Sequence, residues 1–255
     1  MKEAHLFYTP DLPDGTLELP AEEAGHAIRV LRMREGDTLT LTDGLGTFSK
    51  ARITLASAKH CRFEVVRQWN DRKLWQGGIH LAVAPTKNMD RMEWLTEKAT
   101  EIGMDRLTLL HCDNSERHIV KTERLEKIAV SAMKQSHKAF KPAIDPLTAF
   151  SDFIHQPFDG QKFIAHCYEP DEAEADSHAV QHLSGRNFLG DLLQADTDSV
   201  VLIGPEGDFS VHEVQEAIQA GWTPVSLGES RLRTETAALV AVHLMYLAKR
   251  KALAE

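Results

Sequence analysis

The sequence predicts a small β-barrel over residues 1–72, followed by an α/β domain built on a parallel sheet over residues 73–255. Three observations carry that reading. Short strands of period two, punctuated by turn residues, fill the first part. From Gly77 onward, continuous apolar strands alternate with amphipathic helices. Between the two grammars lies Trp69–Gly78, a polar stretch ending in two glycines, where a boundary belongs.

In chain order, a short helix near Ala21–Val30 comes first. Leu39 and Leu41 then alternate with threonines, the pattern of a half-buried strand. Asp43-Gly44 and Gly46 mark a tight turn into a second strand, Phe48–Leu55, and Cys61, Phe63 and Val65 alternate with charges in a third. Ile79–Ala84 is apolar but for His80, as in a strand covered on both faces. Met92, Leu95, Ala99 and Ile102 recur at helical steps, with Gly103 as the C-terminal stop and Leu107–His111 as the next strand. That βαβ unit implies a parallel sheet. A helix at Thr122–His137 and strands at Phe163–His166, Val200–Ile203 and Pro224–Leu227 complete the domain. Ala237–Ala248 is apolar almost all round, so the last helix is expected to be buried on every side, part of it at a subunit interface.

Composition narrows the function classes. With 26% charged and 42% hydrophobic residues the chain is of globular type, and no apolar run is long enough for a membrane span. The N-terminus lacks an apolar signal core, and three scattered cysteines make neither a disulfide framework nor a metal knuckle; no metal is expected, and the cytoplasm is the expected compartment. Net charge is −9, yet residues 1–75 hold 11 basic and 11 acidic side chains, so the acidic excess lies downstream. Glu169–Asp176 reads as an acidic solvated loop. His26, Arg29 and Arg32 fall at three-residue steps, expected on one face of the first helix, with Arg34 just beyond. They read either as a phosphate-contacting surface or as an ordinary solvated helix face.

Two loops stand out as candidates for chemistry. Val200–Ile203 runs into Gly204-Pro205-Glu206-Gly207, and a helix follows whose Ser210 and Glu213 have capping-box spacing and whose end is marked by Gly221. Ligands in open α/β sheets sit beyond the carboxyl ends of strands, and glycines at 204 and 207 let a ligand approach the backbone. The alternative is a tight βα turn with no ligand. The spacing is no nucleotide-triphosphate cradle, and the Glu206 carboxylate would repel a polyphosphate. The second loop, Leu227-Gly228 through Leu232-Arg233, opens the last helix, with Thr234 or a neighbour as its cap.

Leu-Ile-Gly-Pro-Glu-Gly-Asp-Phe-Ser at 202–210 and Leu-Gly-Glu-Ser-Arg-Leu-Arg-Thr-Glu-Thr-Ala at 227–237 resemble the signature blocks of the RsmE family, SPOUT-class methyltransferases acting on N3 of a uridine in small-subunit (16S) ribosomal RNA. Blocks around His26 and Gly36-Asp37, from Lys87 to Gly103, and at Gln135-Ser136 agree in order and spacing. The resemblance implies an N-terminal PUA-like β-barrel, a C-terminal SPOUT α/β domain with a trefoil knot, S-adenosylmethionine as cofactor, and a homodimer acting on ribosomal RNA or the small ribosomal subunit. It implies cofactor binding by His166, Cys167, Gly204, Pro205, Glu206, Gly207, Leu227, Gly228 and Leu232, and RNA binding by His26, Arg29, Arg32 and Lys138. Arg233 is expected to stabilise a uracil anion, and Glu235 to act as base or merely to cap the helix. Two departures stand out: Lys138 replaces an arginine, and Asp208 replaces a glycine. The readings outside this one are a SPOUT ribose 2'-O-methyltransferase and a non-enzymatic RNA-binding protein.

Overall fold

Asp43 shapes the first hairpin: its Oδ1 accepts the backbone N–H groups of Leu45 (2.7 Å) and Thr47 (3.0 Å), a local substitute for backbone pairing that turns the chain. The computed structural model describes residues 5–57, 60–168 and 186–250, so the acidic loop expected at Glu169–Asp176 lies outside the described residues. Residues up to Lys73, together with Val130–Lys141, form one compact unit; Leu74–Ala129 and the chain from Pro142 form a second.

The first unit holds β1 (Leu6–Tyr8), α1 (Ala21–Gly25), β2 (Thr38–Thr42), β3 (Thr47–Ala56) and β4 (Cys61–Asn70). The sheet order is β1-β2-β3-β4, with β1 parallel to β2 and the rest antiparallel. Alternation drives Leu39, Leu41, Ile53 and Phe63 into one core with Phe7, Ala24 and Ala27. The expected continuous helix is corrected: α1 is a single α-turn that continues as a π-helical segment, His26–Val30. Arg32 lies beyond it at a left-handed φ of 56°. The i→i+5 winding breaks the three-residue spacing, so His26, Arg29 and Arg32 are all exposed but do not share one α-helical face. Val130–Lys141, which the sequence groups with the α/β part, joins this unit instead. Lys134 Nζ pairs with Glu23 at 2.5 Å, and the backbones of Gly46 and Lys141 bond to Ala139 and Gly44. Lys138 belongs to that segment, half-buried just after the left-handed His137.

The second unit runs β5 (Ile79–Val83), α2 (Met89–Ile102), β6 (Arg106–His111), α3 (Thr122–Gln135, whose last residues count with the first unit), β7 (Ala143–Ala149) and α4 (Phe150–Ile154). It continues with β8 (Gln161–Ala165), β9 (Asn187–Phe188), α5 (Leu189–Leu192), β10 (Ser199–Ile203), α6 (Val211–Gln219), β11 (Thr223–Ser226) and α7 (Thr234–Lys249). All seven strands are parallel, in the order β7-β6-β5-β10-β8-β11-β9. The mostly apolar β5 and β10, interrupted only by His80 and Ser199, pair at its centre. Within the chain, Ala238, Ala241, Val242 and Met245 of α7 are buried, whereas His243 and Leu247 are exposed on the side the sequence assigned to a subunit interface. Among the described residues no helix is long and apolar enough to cross a membrane.

Candidate functional site

Strand order builds the site. β8 is flanked by β10 and β11, so the loops leaving their carboxyl ends converge: His166-Cys167 after β8, Gly204–Asp208 after β10, and Leu227–Arg233 after β11. They enclose a cavity of about 580 Å³, enough for a ligand of nucleoside size. Of the residues the sequence singles out, His166, Cys167, Gly204, Pro205, Glu206, Leu227, Gly228, Leu232 and Arg233 line it. Gly207 and Glu235 do not; Gly207 faces Asn114, and Glu235 is buried behind the cavity wall with its Oε1 3.6 Å from Arg91.

Asp208 ties two of the loops together. Its φ is +63°, a left-handed conformation in which a glycine costs less, so a purpose beyond conformation is needed. Its Oδ2 accepts the N–H of Cys167 at 2.7 Å and its Oδ1 accepts the N–H of Phe209 at 2.8 Å. Asn114 Nδ2 donates to the Asp208 carbonyl at 3.1 Å, clamping the same turn from another side. Glu206 also works as a strut: its carboxylate accepts the Lys87 N–H at 3.1 Å, pinning the turn to the loop after β5. Beyond it, Ser210 and Glu213 form the expected capping box on α6, and Glu213 Oε1 also accepts the Asp113 N–H at 2.9 Å.

His166 has the most telling environment. It is 4% exposed, and neither ring nitrogen has a hydrogen-bond partner among the described residues. Buried polar atoms are normally satisfied, so this uncompensated imidazole is held neutral by its surroundings. Its carbonyl accepts from Arg186, and burial, reinforced by that arginine's charge, lowers its pKa to about 4. Gly228 is open in the complementary way: its φ is +124°, and a β-carbon there would meet no atom within 4 Å.

The cavity adds Arg91 and Arg186 to the two arginines of the loop after β11. Arg91, Arg186, Arg231 and Arg233 line it against Glu206 and Asp208, giving a cationic cavity in a chain of net charge −9. Arg91 reaches it from the first turn of α2, and Arg186 from just before β9. The start of α7 falls on the expected pair, Thr234 or a neighbour. Arg233, not Thr234, occupies the N-cap position, with no side-chain cap bond, and Thr234 opens the helix proper. Glu235 is then held by Arg91 rather than serving as a cap.

Acid should unfold this unit through two histidines. His80, like His166, is lowered to about 4, mainly by burial. Because the folded pKa lies below the ordinary 6.5, the unfolded chain binds more protons between these values. Stability is full above pH 6.5 and is lost as pH falls toward 4. Each full shift corresponds to about 3 kcal/mol. Thermal unfolding followed by circular dichroism should show the midpoint falling between pH 7 and 4.5, with a shallower fall in His166→Phe; an unchanged slope in that variant would refute the assignment.

Comparison with known proteins agrees with this architecture. The RNA methyltransferase domain family matches residues 73–246, and the RNA methyltransferase PUA domain family matches residues 19–66. A probable rRNA-methyltransferase from Porphyromonas gingivalis is 45% identical with a TM-score of 0.86, over 96% of this chain and 98% of that one. The ribosomal RNA small subunit methyltransferase E of Neisseria gonorrhoeae, solved bound to S-adenosyl methionine, is 26% identical with a TM-score of 0.78, at the same coverage. The ribosomal RNA small subunit methyltransferase E of Mycobacterium bovis is 27% identical over 248 residues, 94% of this chain and 90% of that protein.

Proposed function

This chain belongs to the RNA methyltransferase family, and from that premise we propose that it methylates N3 of a uridine in small-subunit ribosomal RNA, with S-adenosylmethionine as methyl donor. The observation that carries the reading is the cavity beyond β8, β10 and β11, lined by all three of their carboxyl-end loops. The backbone of Gly204–Glu206 and of Leu227–Leu232, together with His166 and Cys167, would hold the cofactor. S-adenosylmethionine, when bound, supplies a methyl group on a sulfonium, so no metal is required.

The chain's own task is alignment and charge control. Uridine N3 carries a proton at neutral pH and lies on the Watson–Crick edge, so the base must be unpaired or extruded before it reaches the cavity. Arg233, exposed at the cavity rim, stabilises the anion left when that proton passes to solvent water. Arg91, Arg186 and Arg231 raise the local positive potential around it. Glu235 sits outside the cavity, away from the uridine, and faces Arg91; its role here is to orient that guanidinium. His26, Arg29, Arg32 and Lys138 would contact RNA phosphates from the first unit.

The working form in this reading is a cytoplasmic homodimer. The outward side of α7, with Leu247 41% exposed, and the 43%-exposed Trp94 of the neighbouring α2 supply apolar surface for a two-fold contact. The loops after β10 and β11 would belong to a trefoil knot, a reading supported by the contiguity of β10, β8 and β11.

The decisive experiment incubates the enzyme and cofactor with small-subunit RNA or subunits, digests the product and identifies the nucleoside by mass. N3-methyluridine sustains the proposal; a methylated ribose hydroxyl transfers it to the other SPOUT chemistry. Absence of cofactor binding by calorimetry would leave an RNA-binding protein instead. The Asp208 strut offers a second check. Asp208→Ala keeps the left-handed φ but loses both acceptors, and should weaken cofactor binding on the order of tenfold. Asp208→Gly relieves the φ and should lose less. Calorimetric titration of the two variants tests that ranking.

A further inference from the structure

The outer face of β3 and β4 carries an arrangement that neither the cavity nor the first helix explains. Residues facing the core on these strands, Ser49, Ala51, Ile53 and Phe63, are buried. Their neighbours point outward in register, Phe48 opposite Trp69, Lys50 opposite Arg67, and Arg52 opposite Glu64. The pairing slips between Lys50 and Ala51, leaving Val66 without a partner strand residue. That bulge puts Val66 and Arg67 outward in succession and brings Arg67 beside Trp69.

The aromatic members are placed for stacking. Trp69 is 38% exposed, its ring lies 5.7 Å from that of Phe48 at a 35° tilt, and the Arg67 guanidinium carbon stands 5.7 Å over it. Arg52 is partly offset by Glu64 at 3.7 Å, whereas Lys50 and Arg67 form no ion pair among the described residues. An indole with guanidinium and ammonium groups along one strand pair presents ring faces for bases and cations for the phosphates between them. A duplex hides its base faces, so it would use the cations but not the rings.

We infer that the outer face of β3–β4 is a single-stranded RNA platform, on which Trp69 and Phe48 stack unpaired bases while Lys50 and Arg67 neutralise the adjoining phosphates. The inference rests on the reading of the chain as an RNA methyltransferase and adds a surface distinct from His26, Arg29 and Arg32. It gives the enzyme a way to prefer an unpaired segment of its RNA over a duplex.

The test is fluorescence anisotropy of the full chain with an unstructured labelled RNA of about 10 nucleotides and with a duplex of equal length, across a salt series. Trp69→Ala should weaken single-strand binding on the order of tenfold with an unchanged salt slope and little effect on the duplex. Trp69→Phe should recover most of the loss, and Arg67→Ala should reduce the salt slope by about one. Cofactor affinity, measured by calorimetry, should be the same in all three variants. Wild-type single-strand affinity in folded Trp69→Ala, or an equal loss on the duplex, overturns the platform; a face made for a protein partner would give the first of these results. If wild-type protein binds neither cofactor nor RNA, it is the methyltransferase reading that fails instead.

Discussion

Arg233→Ala is expected to slow methyl transfer at saturating RNA on the order of a hundredfold, equivalent to about 3 kcal/mol of lost transition-state stabilisation. The argument is positional. Arg233 is the N-cap residue of α7, so its backbone is fixed by the helix start while its side chain is free of any capping bond and reaches the cavity rim. Charge develops on the uracil only as N3 loses its proton, so an arginine meeting that charge acts mainly on the rate and little on RNA affinity. Arg32→Ala should do the opposite. It lies in the first unit, exposed and outside the cavity, and its loss should weaken RNA binding and flatten the salt dependence while leaving the saturated rate intact. Single-turnover methylation at saturating and subsaturating RNA separates the two. A normal saturated rate in Arg233→Ala would remove it from the chemistry.

What the sequence disclosed and what it hid divide along physical lines. β5 and β10 are apolar but for His80 and Ser199 because they lie at the centre of the sheet, so composition alone reveals them. β7 was missed because it lies at the sheet edge, where Asp145-Pro146 is tolerated and the apolar signal fades. β1 is too short, at three residues, to show a period. The π-helical turn at His26–Val30 has no compositional mark, and it undid the shared face assigned to three basic residues. In the site, the loops that follow buried strands and their Arg231 and Arg233 were legible; Arg91 and Arg186 were not. Arg186 is 20 residues from the His166 carbonyl it contacts, and Arg91 sits in a helix whose pattern speaks only of packing. The left-handed Asp208 stood out as a departure, but only coordinates reveal that its carboxylate replaces glycine's freedom with two hydrogen bonds.

Gly204→Val should abolish cofactor binding, by a different route from the one the sequence suggests. Read as sequence, Gly204 spares room for a ligand at the backbone. In the structure that room belongs to the protein: a β-carbon on Gly204 would stand 2.9 Å from the Phe209 nitrogen, 3.1 Å from its ring and 3.2 Å from the Asp208 carbonyl carbon. Phe209 is fully buried and its ring lies 5.3 Å from that of Phe150, so it has nowhere to retreat. The turn itself must move, and with it the Asp208 carboxylate that holds Cys167. The first methyl group already meets this wall, so Gly204→Ala should also lose most of its affinity. Both should lower the melting midpoint, since overpacking costs about 1–3 kcal/mol and each kcal/mol shifts a chain of this size by roughly 2–4 °C. Gly207→Ala is the control, because its β-carbon would make only ordinary contact with Asn114 at 3.4 Å and points away from the cavity. It should bind cofactor nearly as the native chain does. Calorimetric titration with S-adenosylmethionine, paired with thermal unfolding, tests the set. Native affinity and midpoint in Gly204→Ala would mean that the turn is pliable and that the space beside Gly204 is not what shapes the pocket.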